Sequence, residues 1–183
     1  MDSRNKNILI GGLLAIVLIM AVGYAAFATQ LNINGTATID STWNVHFNTA
    51  AADNDVIAIH TATGGQTVTA SKTITDLTAT LTANLKQPGD SVTFTLPILN
   101  TGSIAATLDS PGVTMSVPGA TGSGYSYTKG HIKWEVTTQP SASLAATSGS
   151  TNIVVVASFV ATEGNVTEAE TAEATITINY KQA

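Results

Sequence analysis

Beyond residue 30, apolar and polar residues alternate along most of the chain, and this alternation limits the fold more than any other feature. In residues 31–39 the odd positions are apolar or small and the even positions are polar, and Trp43, Val45 and Phe47 continue the pattern. Successive side chains of a strand point to opposite faces of its sheet, so a period of two predicts half-buried strands. Further strands are predicted over 56–60, 66–70, 73–83, 90–99, 103–108, 112–117, 131–138, 151–161 and 172–180.

Short turn sequences separate the predicted strands. Pro88-Gly89-Asp90 and Asn100-Thr101-Gly102 are the clearest of them, because these residue types impose or tolerate turn geometry. About ten short strands at this spacing predict one all-β domain, a β-sandwich or jelly roll. The stretch 139–151 is expected to be a long loop, and 166–173 a loop or one short helical turn.

The first 28 residues are predicted to be a separate membrane-targeting helix. Residues 8–28 carry no charged side chain, and Arg4 and Lys6 precede them, which places the positive end in the cytoplasm and the rest of the chain outside. The run is long enough to span a bilayer, which takes about 20 residues. It also ends in the small-x-small triplet Ala26-Phe27-Ala28, followed by Thr29, which signal peptidases accept. Residues 1–28 are therefore a signal peptide or a retained anchor, and 29–183 form the β-sandwich domain.

Composition excludes several classes of partner. The chain has seven Lys and Arg against twelve Asp and Glu, a net charge of −5. Nucleic acids and anionic lipid headgroups are bound by clustered basic side chains, so neither is an expected ligand of the exported domain. The chain has no cysteine, which rules out disulfides and thiolate metal sites. An exported domain of this kind must be stabilised by packing.

No constellation of residues in the sequence resembles an enzyme active site. The three histidines, His46, His60 and His131, lie far apart in predicted strands, and there is no H-E-x-x-H zinc motif. There is also no Gly-x-Ser-x-Gly nucleophile elbow and no thiol. We therefore expect no enzymatic activity, no catalytic or metal site, no cofactor and no small-molecule substrate.

The remaining polar candidates each have a structural explanation. Asp53-Asn54-Asp55 offers hard oxygen ligands for calcium but lacks the spaced Glu of a full loop, so an Asx-type turn is favoured. Asn34 and Asn165 begin glycosylation sequons. Trp43 and Phe47 share a strand face, which favours core packing over a carbohydrate-stacking platform. Four glutamates form an acidic stretch that is expected to be a solvated surface: Glu163, Glu168, Glu170 and Glu173.

Two segments resemble the TasA/camelysin family of Gram-positive secreted proteins. The first runs from Lys86 to Leu96 with Asn100-Thr101-Gly102-Ser103-Ile104, and is similar to that family's "PGDS, strand, NTG" hairpin. The second, Tyr24 to Asn44, resembles the start of the family's mature chain, with an apolar helix, an alanine-rich cleavage region and a Gly-Thr strand. The resemblance implies a jelly-roll subunit of biofilm-matrix fibres that donates its amino-terminal strand to the next subunit.

Two functions compete on this evidence. The first is an exported structural subunit of an extracellular fibre or biofilm matrix, a homopolymer that contacts the membrane only through its helix before processing. The second is a membrane-anchored cell-surface binding module for adhesion or for recognition of carbohydrate or protein. Both place the domain outside the cell or at its surface.

In the first function, residues 30–39 are the self-assembly strand. Its buried stripe would comprise Leu31, Ile33, Gly35, Ala37 and Ile39, which would fill a groove in a neighbouring subunit by strand addition. The same strand could instead begin its own subunit's sheet, because alternation does not distinguish pairing within a chain from pairing between chains.

We predict that processing, where it occurs, follows Ala28, because the small-x-small triplet ends there. Amino-terminal sequencing of the secreted material would then begin at Thr29. Recovery of the full-length chain alone, in the membrane fraction, would show instead that the helix is a retained anchor.

Overall fold

The structure is a computed structural model, and it describes residues 3–27, 41–62, 67–160 and 170–183. The chain divides into two compact units. One contains the long helix α1 (Ser3–Phe27), and the other contains all the strands of the described ranges. The predicted domain boundary between residues 28 and 29 lies outside the described residues.

Helix α1 occupies the predicted targeting segment. It has 25 residues, which at 1.5 Å per residue extend about 38 Å. Its large apolar side chains between Ile8 and Val22 are exposed. By length and composition it is able to cross a membrane, as either a signal peptide or an anchor would.

In its described ranges, the second unit contains twelve strands and the short helix α2 (Asp53–Val56). The strands are β1 (Val45–Phe47), β2 (Ile57–His60), β3 (Thr69–Ile74), β4 (Thr78–Leu85), β5 (Ser91–Asn100), β6 (Ala106–Ser116), β7 (Thr121–Ser123), β8 (Ser126–Lys129), β9 (Ile132–Thr138), β10 (Ser143–Leu144), β11 (Gly149–Phe159) and β12 (Glu170–Gln182).

These strands form two antiparallel sheets, and the prediction of an all-β domain is confirmed at that level. Sheet A has the order β1-β5-β11-β9-β8-β7, with β2 also paired to β5. Sheet B has the order β10-β6-β12-β4-β3. Strands β1 and β2 lie one after the other along the same side of β5, opposite Ile98–Asn100 and Ser91–Phe94 respectively.

The alternation of the sequence is reproduced in the burial of the strands. Along β4 and β5 every second side chain is buried, without interruption. The buried residues of both sheets form one hydrophobic cluster. Within it, the rings of Phe94 and Trp134 from neighbouring parts of sheet A stack with centroids 5.8 Å apart. One shared core therefore joins the two sheets.

Two predicted strand boundaries are wrong. The single strand predicted over 73–83 is interrupted by a turn, which begins after Ile74 and ends where β4 starts at Thr78. The hydroxyl of Thr75 accepts a hydrogen bond from the Thr78 amide there, at 3.2 Å. The turn contains no glycine or proline, so the sequence predicted one continuous strand. Conversely, the strands predicted over 103–108 and 112–117 are one strand, β6, which continues through Pro111.

The expected loops are shorter than predicted. The stretch 139–151 contains β10 and the first residues of β11, and a hairpin of β7 and β8 lies where no strand was predicted. β12 begins at Glu170, within the stretch 166–173 that was expected to be a loop or turn. The β7–β8 hairpin is short and exposed or half-buried throughout, whereas β10 and β12 pair with strands that are distant in sequence.

The Pro-Gly-Asp turn is held by a buried carboxylate at the start of β5. Asp90 is 1% exposed. One carboxylate oxygen accepts a hydrogen bond from the Ala62 amide (2.9 Å), and the other accepts from Lys86 (2.9 Å) and Gln87 (3.0 Å). Asp90 thus closes its own turn and attaches the segment that follows β2.

A buried amide closes the other end of β5. Asn100 is also 1% exposed. Its Nδ2 donates to the carbonyls of Ile104 (2.9 Å) and Ala145 (3.0 Å), and its Oδ1 accepts from the Gly102 amide (3.1 Å). All of its hydrogen bonds are to backbone groups of two loops. Asn100 therefore connects the β5–β6 loop to the segment between β10 and β11.

We predict that Asp90→Asn lowers the free energy of unfolding by about 2–4 kcal/mol, because the amide has one acceptor oxygen and leaves buried N–H groups unpaired. Chemical denaturation monitored by circular dichroism measures the change. The matched control is Asp76→Asn, at an exposed residue of the β3–β4 turn, which should stay within about 0.5 kcal/mol of the parent. Equal effects of the two substitutions would contradict this role for Asp90.

Candidate assembly site

The residues of the predicted self-assembly strand lie outside the described part of the chain. This applies to Leu31, Ile33, Gly35, Ala37 and Ile39. In the cleavage region, Ala26 lies in the last turn of α1, while Ala28 and Thr29 also fall outside the described ranges. The arm, residues 30–39, leads into the described residues at Ser41, and the exposed edges of the two sheets are the places where a strand could add.

The arm joins the strand-rich unit through residues 41–44, which are hydrogen bonded to the β5–β6 loop. The Ser103 amide donates to the Thr42 carbonyl (2.9 Å), and the Thr101 amide donates to the Asn44 carbonyl (3.0 Å). Gly102 lies between them, and a Cβ there would be 2.4 Å from the Thr42 carbonyl oxygen. Glycine is needed at this position because the two backbones approach so closely. The root of the arm is thus firmly attached.

Sheet B offers two edges long enough to accept a strand. In sheet A, the outer strands β1, β2 and β7 have three or four residues each. In sheet B, β3 lies at one edge with six residues. At the other edge, β10 pairs with only Ala106 and Thr107 of β6. Among the described strands, none pairs with the rest of β6 on that side.

The β3 edge is protected by a lysine that points inward. Lys72 pairs with the buried Leu81 of β4 and is only 9% exposed. Its Nζ donates to the Ala51 carbonyl (2.7 Å) and lies 3.3 Å from a carboxylate oxygen of Asp53. An inward charge at a sheet edge disfavours the addition of another strand, since the added strand would bury it. β3 is therefore a poor acceptor.

The β6 edge has no such protection. Val113, Met115 and Val117 alternate along it and are buried, at 3–6% exposed. The intervening Thr114 and Ser116 are exposed. An apolar stripe at every second position matches the alternation of residues 31–39, so a strand added here would bring its own apolar residues to the same side. We call residues 112–117 the acceptor edge.

Near the root of the arm, Trp43 lines a small groove of about 70 Å³ together with Leu77 and Tyr180. Trp43 is 38% exposed, so the expectation that it packs in the core is wrong, while Phe47 of β1 is fully buried. The Tyr180 hydroxyl donates to the Ser141 carbonyl at 2.7 Å. Burial raises the pKa of Tyr180 to about 12.

Two of the histidines, His46 and His60, lie far apart on sheet A. His46 pairs with Leu99 and His60 with Ser91, at opposite ends of β5, about 26 Å apart at about 3.3 Å per residue. No group of three His, Cys, Asp or Glu in the described ranges could hold a metal ion. Asp53 and Asp55 lie in α2, where the backbone forms one helical turn in place of the predicted Asx-type turn.

The acidic stretch divides into residues with different roles. Glu173 is exposed on β12, as a solvated surface requires, whereas Glu163, Glu168 and the sequon asparagines Asn34 and Asn165 lie outside the described residues. Glu170 does not have the expected solvated role. Its carboxylate accepts a hydrogen bond from the His131 amide at 2.7 Å and contacts the His131 ring at Nδ1.

This His131–Glu170 pair connects the two sheets, since His131 precedes β9 of sheet A and Glu170 begins β12 of sheet B. The His131 ring also stacks on Phe159, with centroids 5.5 Å apart. Burial raises the pKa of the Glu170 carboxyl, but the hydrogen bonds and charge of His131 outweigh burial and bring this pKa below its ordinary value. Gly130, with a φ of +58°, leaves room for the carboxylate, which a Cβ would approach to 2.4 Å.

Sequence reasoning missed the acceptor edge and the His131–Glu170 pair. The sequence predicted a strand over 112–117, but alternation does not show which strands pair with it or that one of its sides is unpaired. The pair joins residues 39 positions apart, and only Gly130 beside His131 hinted at a close approach. Comparison with models of known protein families, with curated proteins and with solved structures finds no match.

We predict that ionised Glu170 stabilises the fold through this pair. Because its pKa is lowered on folding, the contribution is fully present above the ordinary glutamate pKa and is lost as pH falls through the lowered value. Glu170→Gln should lower the free energy of unfolding by about 1–2 kcal/mol at neutral pH, and the difference from the parent should shrink in acid. Denaturation curves measured across the acidic range test this.

The matched control is Glu173→Gln, three residues along the same strand and exposed. It should leave the acid dependence of stability as in the parent. A Glu170→Gln protein whose stability differs from the parent's by the same amount at every pH would show that the carboxylate charge is not involved.

Proposed function

We propose that this protein is an exported structural subunit of an extracellular fibre or matrix, and that its strand-rich unit is a β-sandwich of the jelly-roll type. Residues 30–39 of one subunit add as a strand to the acceptor edge of the next. No enzymatic activity is part of this function. The subunit is located outside the cell or at its surface, after export directed by α1.

The acceptor edge is the observation that carries the proposal. Buried Val113 and Met115 of β6, with Val117 just after it, lie along an edge that has no strand partner on its outer side among the described residues. Strand addition provides backbone hydrogen bonds for affinity, and the alternating apolar stripe determines the register, since a slip of one residue would turn that stripe to solvent. The competing edge, β3, carries the inward Lys72.

The arm, residues 30–39, leads through Asp40 into residues 41–44 of the strand-rich unit. Its root is attached at Thr42 and Asn44 to the β5–β6 loop, and the carboxyl end of β12 lies at the same end of the unit, where the Ala183 amide donates to the Ala105 carbonyl. Donation from each subunit to the next is a head-to-tail contact, which grows an open filament unless its rotation closes a ring.

A surface-exposed aromatic favours the second candidate, a membrane-anchored binding module. Trp43, Tyr180 and the exposed Asn179 lie together at one groove, and an aromatic face beside polar groups is able to stack on a sugar ring. The groove is small, at about 70 Å³, so we rank this function second. It requires a retained helix and a monomeric domain.

We predict that Ile33→Asp abolishes filaments, because it places a charge in the apolar stripe of the donated strand. Thr36→Asp, at a position facing the other way in the same alternation, is the matched control and should leave assembly largely intact. Negative-stain electron microscopy and sedimentation measure the outcome. Filaments that persist unchanged in Ile33→Asp, or a parent protein that stays monomeric at every concentration, would contradict strand donation.

Cross-linking identifies the acceptor. The chain has no cysteine, so any disulfide that forms must join two introduced cysteines. We expect copies with cysteine at 34, 36 or 38 to form disulfides with separate copies carrying Ser116→Cys. Thr73→Cys on the β3 edge is the control and should form none. Disulfides only within doubly substituted chains, at high dilution, would show that the arm folds onto its own subunit.

A further inference from the structure

The outward surface of sheet B is a regular array of threonine side chains. Along β4, Ala79, Leu81 and Ala83 are buried, so the residues between them point outward. These outward residues are, in order along the strand, Thr78, Thr80, Thr82 and Asn84.

The neighbouring strand β12 repeats this arrangement. Thr171, Glu173, Thr175 and Thr177 alternate with buried residues and pair with Asn84, Thr82, Thr80 and Thr78 respectively. The pairing between the two strands continues from Glu170 to Thr177 without a bulge.

The edge strand β3 adds a third row. Thr69, Ser71 and Thr73 pair with Asn84, Thr82 and Thr80 of β4. We call the outward residues of 69–73, 78–84 and 171–177 the threonine face. All of them are threonine except Ser71, Asn84 and Glu173.

The spacing of this array follows from sheet geometry. Neighbouring strands lie about 4.8 Å apart, and outward residues of one strand repeat about every 6.7 Å. Threonine is β-branched and therefore has few rotamers, and the Nδ2 of Asn84 donates to the Thr171 hydroxyl at 3.0 Å. Hydroxyl and methyl groups are thus presented as a repeating and conformationally restricted grid.

The surface chemistry of the face limits what it can bind. Glu173 is the one charged residue of the face as we define it, so charge does not recruit a partner. No aromatic side chain belongs to the face, which removes the stacking platform that sugar rings favour. A shallow depression of about 210 Å³ lies between Thr69, Ser71, Thr82 and Thr171, which is large enough to hold several ordered water molecules.

We propose that the threonine face binds ice. A surface that repeats one small neutral group lacks the varied charges and shapes by which an irregular protein surface is recognised. Its regular repeat instead matches a ligand that is itself periodic. Ordered water in the depression and between the threonine rows would hydrogen bond to the threonine hydroxyls. These water molecules would continue into the ice lattice, and the threonine methyl groups would occupy voids of that lattice. Water-mediated contacts of this kind are nearly as favourable as direct ones.

The twist of the sheet determines which part of the face matters most. Adjacent strands rotate by about 20–25°, so the grid is closest to planar over neighbouring β4 and β12. Thr80 and Thr175, which pair directly, lie at the centre of that region. Binding therefore depends most on these two residues. The inference is independent of strand donation, because the face does not include the acceptor edge.

The test uses the full chain in lipid nanodiscs, with empty nanodiscs as the blank. One measurement is the gap between melting and growth temperatures of a seeded ice crystal, and the other is adsorption of fluorescently labelled protein to a single ice crystal. Thr80→Lys and Thr175→Lys should each lose most of both signals. Thr95→Lys, at an outward position of β5 in sheet A, is the matched control and should retain them.

Thermal unfolding monitored by circular dichroism checks that each variant is folded, and Thr80→Ser provides a milder change that removes only the methyl group. A parent protein without a temperature gap or adsorption overturns the proposal, as do equal losses in the Thr95→Lys control. Adsorption to crystalline cellulose in place of ice would assign the face to polysaccharide. Self-association that the two face variants abolish, without ice adsorption, would assign it to a second copy.

Discussion

The fold depends most on β5 and on the two buried polar residues that end it. β5 pairs with β11 along its whole length and with β1 and β2 on its other side. Asp90 and Asn100 hold the chain at its two ends by accepting from or donating to backbone groups of four separate segments. Buried polar groups are tolerated only when their hydrogen bonds are made. Asp90 and Asn100 belong to the Pro-Gly-Asp and Asn-Thr-Gly turn motifs. The same residues therefore mark the turns in the sequence and hold the loops at both ends of β5.

The core is stabilised by complementary side-chain sizes in the absence of disulfides. Sheet A contributes the largest buried residues, including Phe47, Phe94 and Trp134. Sheet B contributes many small ones, with Ala79, Ala83, Ala172 and Ala174 on its inner face. Large and small side chains together fill the single core that both sheets share. The His131–Glu170 pair adds a polar connection between the sheets where this apolar packing ends.

The two faces of sheet B have separate roles, because alternation directs every second residue outward. Burial on the inner face stabilises the unit, so the outer face is free to carry a repeated surface chemistry. The edges of the same sheet differ as well. Lys72 protects β3 against strand addition, whereas the acceptor edge, residues 112–117, presents two buried valines and a methionine without a charge among them. A low content of charged residues, 10% of the chain, leaves these surfaces to be distinguished mainly by shape and hydroxyl groups.

The sequence by itself determined the apolar helix, the all-β character of the rest, most of the long strands and the turns at Pro88-Gly89-Asp90 and Asn100-Thr101-Gly102. These features depend on local periodicity and on residues that favour turns, which act over a few positions. Tertiary structure alone decided the division of the strands between two sheets, the continuity of β6, the inward Lys72 and the exposure of Trp43. It also brought His131 to Glu170 and aligned threonines of three strands in register. The physical reason is that strand pairing joins residues distant in sequence, and alternation specifies which face a side chain occupies but not which strand lies beside it.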